Sequence, residues 1–181
     1  MLSSLLAVSA LQTSQYWGTG QPPSPLGSAH PRNAPYQAFE AEDKPFAVAA
    51  GTNGLWEKVA KVVNREDLLG DPRFATQHDR AEHQEALAAE LQKEFSHRNA
   101  EFWLAELRGC GVPSGPVNTY ADILEDPHVA ALNLVEQMAL PDGSITPTVR
   151  YPAAMSGVDL PPAARPPLLG DGAAAVFKEW S

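Results

Sequence analysis

The sequence contains a single cysteine, Cys110, and its basic residues are few. One cysteine excludes a disulfide within the chain and fits a reducing compartment, so we expect a cytoplasmic protein. The 13 lysines and arginines are scattered among 22 acidic residues, which gives a net charge of −9. An acidic chain without a basic run is a poor partner for nucleic acid, so we expect no such partner, and an anionic ligand would need a local basic patch.

Long hydrophobic runs are also scarce, and one apolar stretch, residues 1–12, has to be tested as a targeting segment. It is too short to span a bilayer, and it lacks the basic residues that precede the apolar part of a signal peptide. Leu2, Leu5 and Leu6 recur at helical spacing, which predicts one amphipathic helix over residues 1–17. We therefore expect no membrane partner.

Motifs that carry chemistry are missing as well. The sequence has no G-x-S-x-G, no P-loop and no G-x-G-x-x-G after a strand. Cys110 has no base near it in sequence, and we interpret it as a structural thiol. His78 and His83 are five residues apart, which misses the spacing that places two metal ligands on one helix face. The residues therefore predict neither a catalytic group nor a metal ligand.

Proline and glycine, by contrast, are abundant, with 17 and 13 residues, and they imply long ordered loops. Hydrophobic residues make up 44% of the chain and charged residues 19%, which is typical of a globular protein. Residues 18–35 are too rich in Gly, Pro and Ser for a helix or a strand. A structureless stretch of that length is often functional.

The first half of the remaining chain predicts a mixture of strands and helices. Residues 36–50 alternate around a polar turn and predict a β-hairpin. A short helix is expected over residues 55–63, and Phe74 is expected to be buried. Residues 76–97 predict the longest helix, with an apolar face that recurs every four residues. That face contains Leu87, Leu91 and Phe95.

The second half begins with Asn99, a good N-cap for a helix whose apolar stripe is typical of a core. The stripe contains Ala100, Trp103, Leu104 and Leu107. Residues 111–117 predict two back-to-back turns, after which Thr119 and Asp122 have capping-box spacing. Two strands with a turn between them are expected over residues 134–151, and a final helix over residues 173–180.

The stretch GVPSGPVNTYADILEDP, residues 111–127, resembles the signature of the class III CoA-transferases, the CaiB/BaiF family. That family includes formyl-CoA transferase, carnitine CoA-transferase and the acyl-CoA racemases. Further matches follow in the same order along the chain. They are Pro35-Tyr36 with Phe39, Asp71-Pro72-Arg73-Phe74, Arg80, Trp103, Pro152, Ser156 and Pro167-Leu168-Leu169-Gly170. Only the C-terminal half of such an enzyme is matched.

The resemblance implies an α+β fold, the small domain of a class III CoA-transferase, without the N-terminal Rossmann-like half. It implies a helix and linker over residues 1–34, the small domain over residues 35–133, and a strand pair with a C-terminal return segment over residues 134–181. The family's catalytic aspartate and most of its CoA contacts belong to the other half. No position of this chain matches them, so we expect no catalytic residue here.

The implied reaction moves CoA from an acyl-CoA to a carboxylic acid, with the CoA thioester as a substrate, and we expect the chain alone to be inactive. The N-terminal half could be encoded separately, and the family's interlocked subunits imply a homo-oligomer. In formyl-CoA transferase a glycine-rich loop covers the active site, and Gly27, Ser28, Ala29 and His30 stand in its place as candidate CoA-binding residues. A secondary candidate is Val112–Pro116. The alternatives are a non-catalytic binding or assembly module and a fragment of an acyl-CoA racemase.

Overall fold

The computed structural model describes residues 1–153, 156–157 and 163–179. They form an α+β fold, as predicted, with a three-stranded and a two-stranded sheet. The chain divides into two compact units, Met1–Val117 and Asn118–Ser181. Among the described residues no helix is both long and apolar enough to cross a membrane.

The first unit begins with two consecutive helices, α1 (Leu2–Val8) and α2 (Ala10–Thr19). A single helix was expected here, and the break falls at Ser9, whose ψ of 17° departs from helical geometry. The Ser9 hydroxyl donates to the carbonyl oxygen of Leu6 at 3.1 Å. Such side-chain bonds compete with the helix backbone and often bend it. Neither helix contains a buried residue.

The three-stranded sheet is antiparallel in the order β1-β2-β3. Strands β1 (Tyr36–Glu40) and β2 (Pro45–Ala49) form the predicted hairpin. Strand β3 (Ser114–Pro116) pairs with the other edge of β2, so the expected turn at this place is wrong. Glycine and proline argue against a strand in sequence, but an edge strand tolerates both because one of its sides is unpaired. The central strand buries Phe46 and Val48 completely.

Helices fill the chain between β2 and β3. The first, α3 (Asn53–Val62), is capped by the Thr52 hydroxyl, which accepts from the Leu55 N–H. Two short 3-10 helices, Glu66–Gly70 and Pro72–Phe74, follow it.

The segment expected as one helix over residues 76–97 is two helices, α4 (Gln77–Glu82) and α5 (Gln84–Phe95). His83 separates them with φ −106° and ψ 30°, and its Nδ1 lies 2.9 Å from the Asp79 carbonyl oxygen. The apolar stripe of α5 is buried as predicted.

Helix α6 (Ala100–Gly109) completes the first unit, and its core-facing stripe and its cap were both predicted correctly. The Asn99 side chain accepts from the Phe102 N–H at 2.9 Å. The Asp43 carboxylate, from the β1–β2 turn, accepts the Ala100 N–H at 2.7 Å. Two acceptors from different parts of the chain therefore satisfy N–H groups that the first helical turn leaves without a partner.

The core of the first unit is organised around Phe95. Its ring packs against Phe39, Phe46 and Trp103 with centroid separations of 4.9, 5.0 and 5.2 Å. The Trp103 indole N–H donates to the Phe95 carbonyl oxygen at 2.8 Å, which satisfies a buried donor. Phe74 is fully buried, as predicted. One continuous cluster of buried side chains joins strands β1 and β2 to α3, α5 and α6.

The second unit starts with two short helices, α7 (Tyr120–Leu124) and α8 (Pro127–Ala131). The predicted capping box of α7 is present, with Thr119 and Asp122 bonded in both directions. No described residue of this unit is buried.

A two-stranded antiparallel sheet follows in the second unit, formed by β4 (Val135–Ala139) and β5 (Ile145–Val149). This confirms the predicted strand pair and turn. The last helix, α9, runs over Ala173–Glu179, and Trp180, which was expected in it, lies outside the described residues.

Candidate functional site

The candidate loop lies between α2 and β1 and turns sharply at Gly27. This glycine has φ +61°, in the left-handed region that residues with a Cβ rarely adopt. The Ala29 N–H donates to the Leu26 carbonyl oxygen at 3.1 Å, which closes the turn. The N–H groups of Gly27 and Ser28 donate to no group in the described part of the chain. The turn therefore presents two neighbouring amide donors.

After the turn, the loop is fixed to the sheet and to α5. The Ser28 hydroxyl accepts the Ala38 N–H at 3.1 Å, and the His30 N–H donates to the Tyr36 carbonyl oxygen at 2.9 Å. The imidazole of His30 stacks on the Tyr36 ring, with centroids 5.1 Å apart and planes 16° apart. Gln84 donates through Nε2 to the His30 carbonyl oxygen at 3.0 Å. These contacts hold the loop in one defined conformation.

The orientation of the His30 ring also fixes which nitrogen can donate. The Arg32 backbone N–H donates to His30 Nδ1 at 3.1 Å, so Nδ1 acts as an acceptor. A neutral imidazole then carries its hydrogen on Nε2. His30 is half-buried, and its ring offers one N–H donor at Nε2.

Two depressions flank the loop, and Pro31 lines both of them. The larger, of about 530 Å³, lies against α4 and is mixed in charge, because it includes Arg32 and Glu82. The smaller, of about 390 Å³, lies against α2 and contains no charged residue. The larger is lined by Pro31, Arg32, Gln77, His78, Ala81 and Glu82. The loop therefore separates a charged depression from a neutral one.

The end of the loop approaches the backbone of the turn before α3. Gln77 donates through Nε2 to Asn33 Oδ1. A Cβ placed on Gly51 would lie 2.6 Å from the Asn33 Cβ, closer than real side chains come. Glycine at position 51 is therefore required by this close approach of two segments.

The secondary candidate, Val112–Pro116, is built into the sheet. Val112 is 1% exposed and donates its N–H to the Leu107 carbonyl oxygen at 2.8 Å. The Pro113 carbonyl oxygen accepts the Ala49 N–H at 2.9 Å, directly before β3 begins. Most backbone groups of this stretch are used in structure, and the loop at Gly27–His30 is the better candidate for a ligand contact.

Carboxylates in the described residues are tuned towards the charged form wherever a shift is resolved. A hydrogen bond from Arg73 lowers the pKa of Asp71, and the Ala100 N–H lowers the pKa of Asp43. Such carboxylates are poorly suited to act as general acids. The others with a lowered pKa are Asp67, Asp79, Glu90 and Asp142.

The remaining candidate groups are also engaged in structure. The Cys110 thiol is half-buried and donates to the Leu107 carbonyl oxygen at 3.2 Å. In the part of the chain that the structure describes, no three His, Cys, Asp or Glu side chains could together hold a metal ion. His78 instead lies 3.5 Å from Glu82 on an exposed helix face.

One residue beside the loop received no role from the sequence, although it belongs to the resemblance: Arg80 of α4. It is fully buried, and no other polar or charged residue among the described ones is buried. Its Nε donates to the Ala34 carbonyl oxygen, at the end of the loop, at 2.8 Å. The sequence did contain a signal for its burial, because Arg80 precedes Leu87 by two helical turns and therefore has the spacing of the buried stripe.

Known proteins similar to this chain are CoA-transferases. The acetyl-CoA:oxalate CoA-transferase of Acetobacter aceti is 36% identical over 165 residues, which cover 90% of this chain and 41% of that protein. The succinyl-CoA:glutarate CoA-transferase of Mus musculus is 33% identical over 157 residues, covering 84% of this chain and 35% of that protein. The chain thus spans less than half the length of these relatives and matches their C-terminal half.

A solved structure and the family comparison agree with these relatives. A CaiB/BaiF family protein from Brucella suis superposes with a TM-score of 0.74 at 35% identity, covering 97% of this chain and 45% of that one. The family described as CoA-transferase family III matches residues 1–172. The predicted resemblance is confirmed, and the chain belongs to CoA-transferase family III, the CaiB/BaiF family.

Proposed function

We propose that this chain supplies the C-terminal part of a CoA-transferase that moves CoA from an acyl-CoA to a carboxylic acid. The observation that carries the proposal is the family match over residues 1–172. The names of the relatives support it, because each states a transfer of CoA between an acyl-CoA and a dicarboxylic acid. The CoA thioester is then a substrate, and no bound cofactor is required.

The role proposed for the loop is to form a wall of the substrate site. Gly27 and Ser28 offer backbone N–H donors, and His30 offers its Nε2–H. Donors of this kind stabilise an oxygen on which negative charge develops when a thioester is attacked. Ala29 keeps the turn closed, so that the donors stay in place.

The nucleophile is proposed to come from outside these 181 residues. The resemblance implies a catalytic aspartate whose carboxylate attacks the thioester carbonyl, breaks the carbon–sulfur bond and releases CoA as a thiolate. An acyl anhydride on the aspartate results, which CoA converts to an enzyme thioester with release of the first carboxylic acid. The acceptor carboxylate then attacks that thioester, which releases CoA thiolate and forms a second anhydride on the aspartate. The thiolate attacks the acyl carbon of the acceptor in this anhydride, which gives the new acyl-CoA and regenerates the aspartate carboxylate. No position here matches this aspartate, so the chain assayed alone is expected to be inactive.

The assembly is part of the same proposal. The missing carboxylate belongs to a Rossmann-like half, joined to this chain or encoded separately, within an interlocked homo-oligomer in the cytoplasm. Exposed apolar side chains on α1, α2 and the second unit support this assembly, because they offer an apolar surface to a partner. Several of them are more than half exposed, among them Leu2, Leu5, Leu6, Leu11, Ile145 and Val149.

The test is a CoA-transfer assay with acetyl-CoA and succinyl-CoA as donors and oxalate and glutarate as acceptors. The chain is assayed alone and together with the product of the neighbouring reading frame. We expect transfer only in the mixture. His30→Ala should then lower kcat/KM about tenfold, the effect of one lost hydrogen bond, while His97→Ala, at an exposed position, should leave it unchanged.

Other outcomes would contradict the proposal in distinguishable ways. Transfer by the chain alone would mean that a nucleophile lies within these residues. Racemisation of an acyl-CoA by the mixture, without transfer, would favour the racemase branch. Binding of the neighbouring product without either reaction would favour a non-catalytic assembly module.

A further inference from the structure

Arg80 is a buried cation that is held without a carboxylate. Its side chain is 0% exposed, and the ion pairs among the described residues do not include it. Burial lowers the pKa of its guanidinium, but arginine stays charged at any physiological pH. A buried charge without an opposite charge is costly unless hydrogen bonds replace its water. We therefore expect the buried charge to have a role that an apolar side chain in the same space could not perform.

Four hydrogen-bond acceptors from three separate segments replace water around the guanidinium. Nε donates to the Ala34 carbonyl oxygen at 2.8 Å, and Nη1 to that of Phe74 at 3.2 Å. Nη2 donates to the Gly51 carbonyl oxygen at 3.1 Å and to Asn53 Oδ1 at 3.0 Å. The three segments are the end of the candidate loop, the turn before α3 together with the first residue of α3, and the 3-10 turn before α4. One planar group therefore fixes their relative positions.

Neighbouring contacts transmit this constraint to the loop. Asn33 packs on Gly51, whose carbonyl Arg80 holds, and the Ala50 N–H donates to the Pro35 carbonyl oxygen at 2.7 Å. Arg80 thus clamps the loop end directly, through the residue that precedes Pro35. The other end of the loop follows the exposed helix α2, which contains no buried residue. The position of the loop therefore depends on the end that Arg80 binds.

We propose that Arg80 is the positioning residue of the Gly27–His30 loop. Its importance for CoA transfer rests on the proposed function. Its charge is used to bind three backbone carbonyls rather than a substrate or a carboxylate. The planar fork is required, because a lysine ammonium at the same place has three donors on one atom and does not reach all four acceptors.

The test compares Arg80→Lys with a matched control, Arg65→Lys, in the full chain. Arg65 is also an arginine of the first unit, but it is bonded to the carboxylates of Asp67 and Glu90 at 2.9 and 3.2 Å. Two signals report on the loop: hydrogen exchange of the His30 amide and the NMR resonances of its imidazole. Neither requires CoA transfer, so the result is independent of whether the transferase proposal holds.

We expect Arg80→Lys to speed exchange of the His30 amide about tenfold and to shift the imidazole resonances away from their stacked position. Amides of α6 should change by less than about twofold, since α6 makes no bond to Arg80. Arg65→Lys should leave both loop signals in place. Unchanged loop exchange in Arg80→Lys, or an equal rise in α6, would overturn the proposal.

A measurement on the unmodified protein covers the case in which Arg80→Lys does not fold. Exchange is followed in low concentrations of denaturant for the amides of His30 and Phe74, which lie on segments joined by the guanidinium. We expect both to open in one step, with a denaturant dependence smaller than that of global unfolding. Separate opening of the two amides would contradict a clamp by Arg80.

Discussion

The two units of the chain contain the same local motif in different surroundings. Hairpin β1–β2 and hairpin β4–β5 each have five paired positions in antiparallel register. In the first, Phe46 and Val48 are 0% exposed, whereas in the second Ile145 and Val149 are each 70% exposed. A two-stranded hairpin is marginal by itself and needs a third strand or a helix packed on it. Regular hydrogen bonding in the second unit therefore does not indicate that this unit is stable alone.

The largest expected effect tests whether stability resides in the first unit. Phe95→Ala removes the ring at the centre of the aromatic cluster, and such buried truncations cost about 3–5 kcal/mol. Val149→Ala in β5 removes an exposed side chain and should change the free energy of unfolding by less than about 0.5 kcal/mol. Urea unfolding followed by tryptophan fluorescence measures both. Equal effects would show that the second unit has a core of its own.

A second expectation concerns the apolar side chains that the first unit's core does not reach. Leu2, Leu5 and Leu6 are 74%, 61% and 55% exposed, and apolar patches of a few hundred Å² promote association. We expect the isolated chain to form oligomers at micromolar concentration, as measured by light scattering. The double variant Leu5→Glu with Leu6→Glu should reduce the average mass, while Glu82→Gln, a change on an exposed polar face, should not. A monodisperse monomer in the unmodified chain would contradict this interpretation.

The smallest expected effect compares equivalent caps in the two units. Asn99 caps α6 and Thr119 caps α7, each through a side-chain oxygen that accepts a backbone N–H. Removal of such a cap typically costs about 1 kcal/mol of helix stability. Asn99→Ala should therefore lower the Tm of the cooperative transition by about 4–8 °C. Thr119→Ala should leave that Tm unchanged, and a comparable decrease would mean that the units unfold together.

Local signals were sufficient for most of the elements in both units. The caps at Asn99 and Thr119, the hairpins and the buried stripe of α5 all depend on residues close in sequence, and each was predicted correctly. Membership in the family was also readable, because its motifs occur in order along the chain. The domain division at residues 34 and 133 and the binding role of Gly27–His30 stay predictions.

Some errors arose from local side-chain bonds, as at Ser9, and others where distant residues decide the conformation. Spacing alone favours a continuous helix through His83, but the His83 backbone departs from helical geometry and its Nδ1 lies 2.9 Å from the Asp79 carbonyl oxygen. Strand β3 contains Gly115 and Pro116 and has no strand signal, because its structure depends on pairing with β2. The burial of Arg80 could be predicted from its spacing, but its clamp could not, since three of its four acceptors are backbone carbonyls of other segments.

The position of β3 has a consequence for how the protein is made. Phe46 and Val48 are translated before their partners Pro116 and Ser114, which follow only after all of the helices α3 to α6. Until then, the nascent hairpin has an open edge on β2, with backbone groups that another strand could pair with. The sheet is complete only when Pro116 has left the ribosome, so this edge of β2 stays exposed while residues 50–116 are being made.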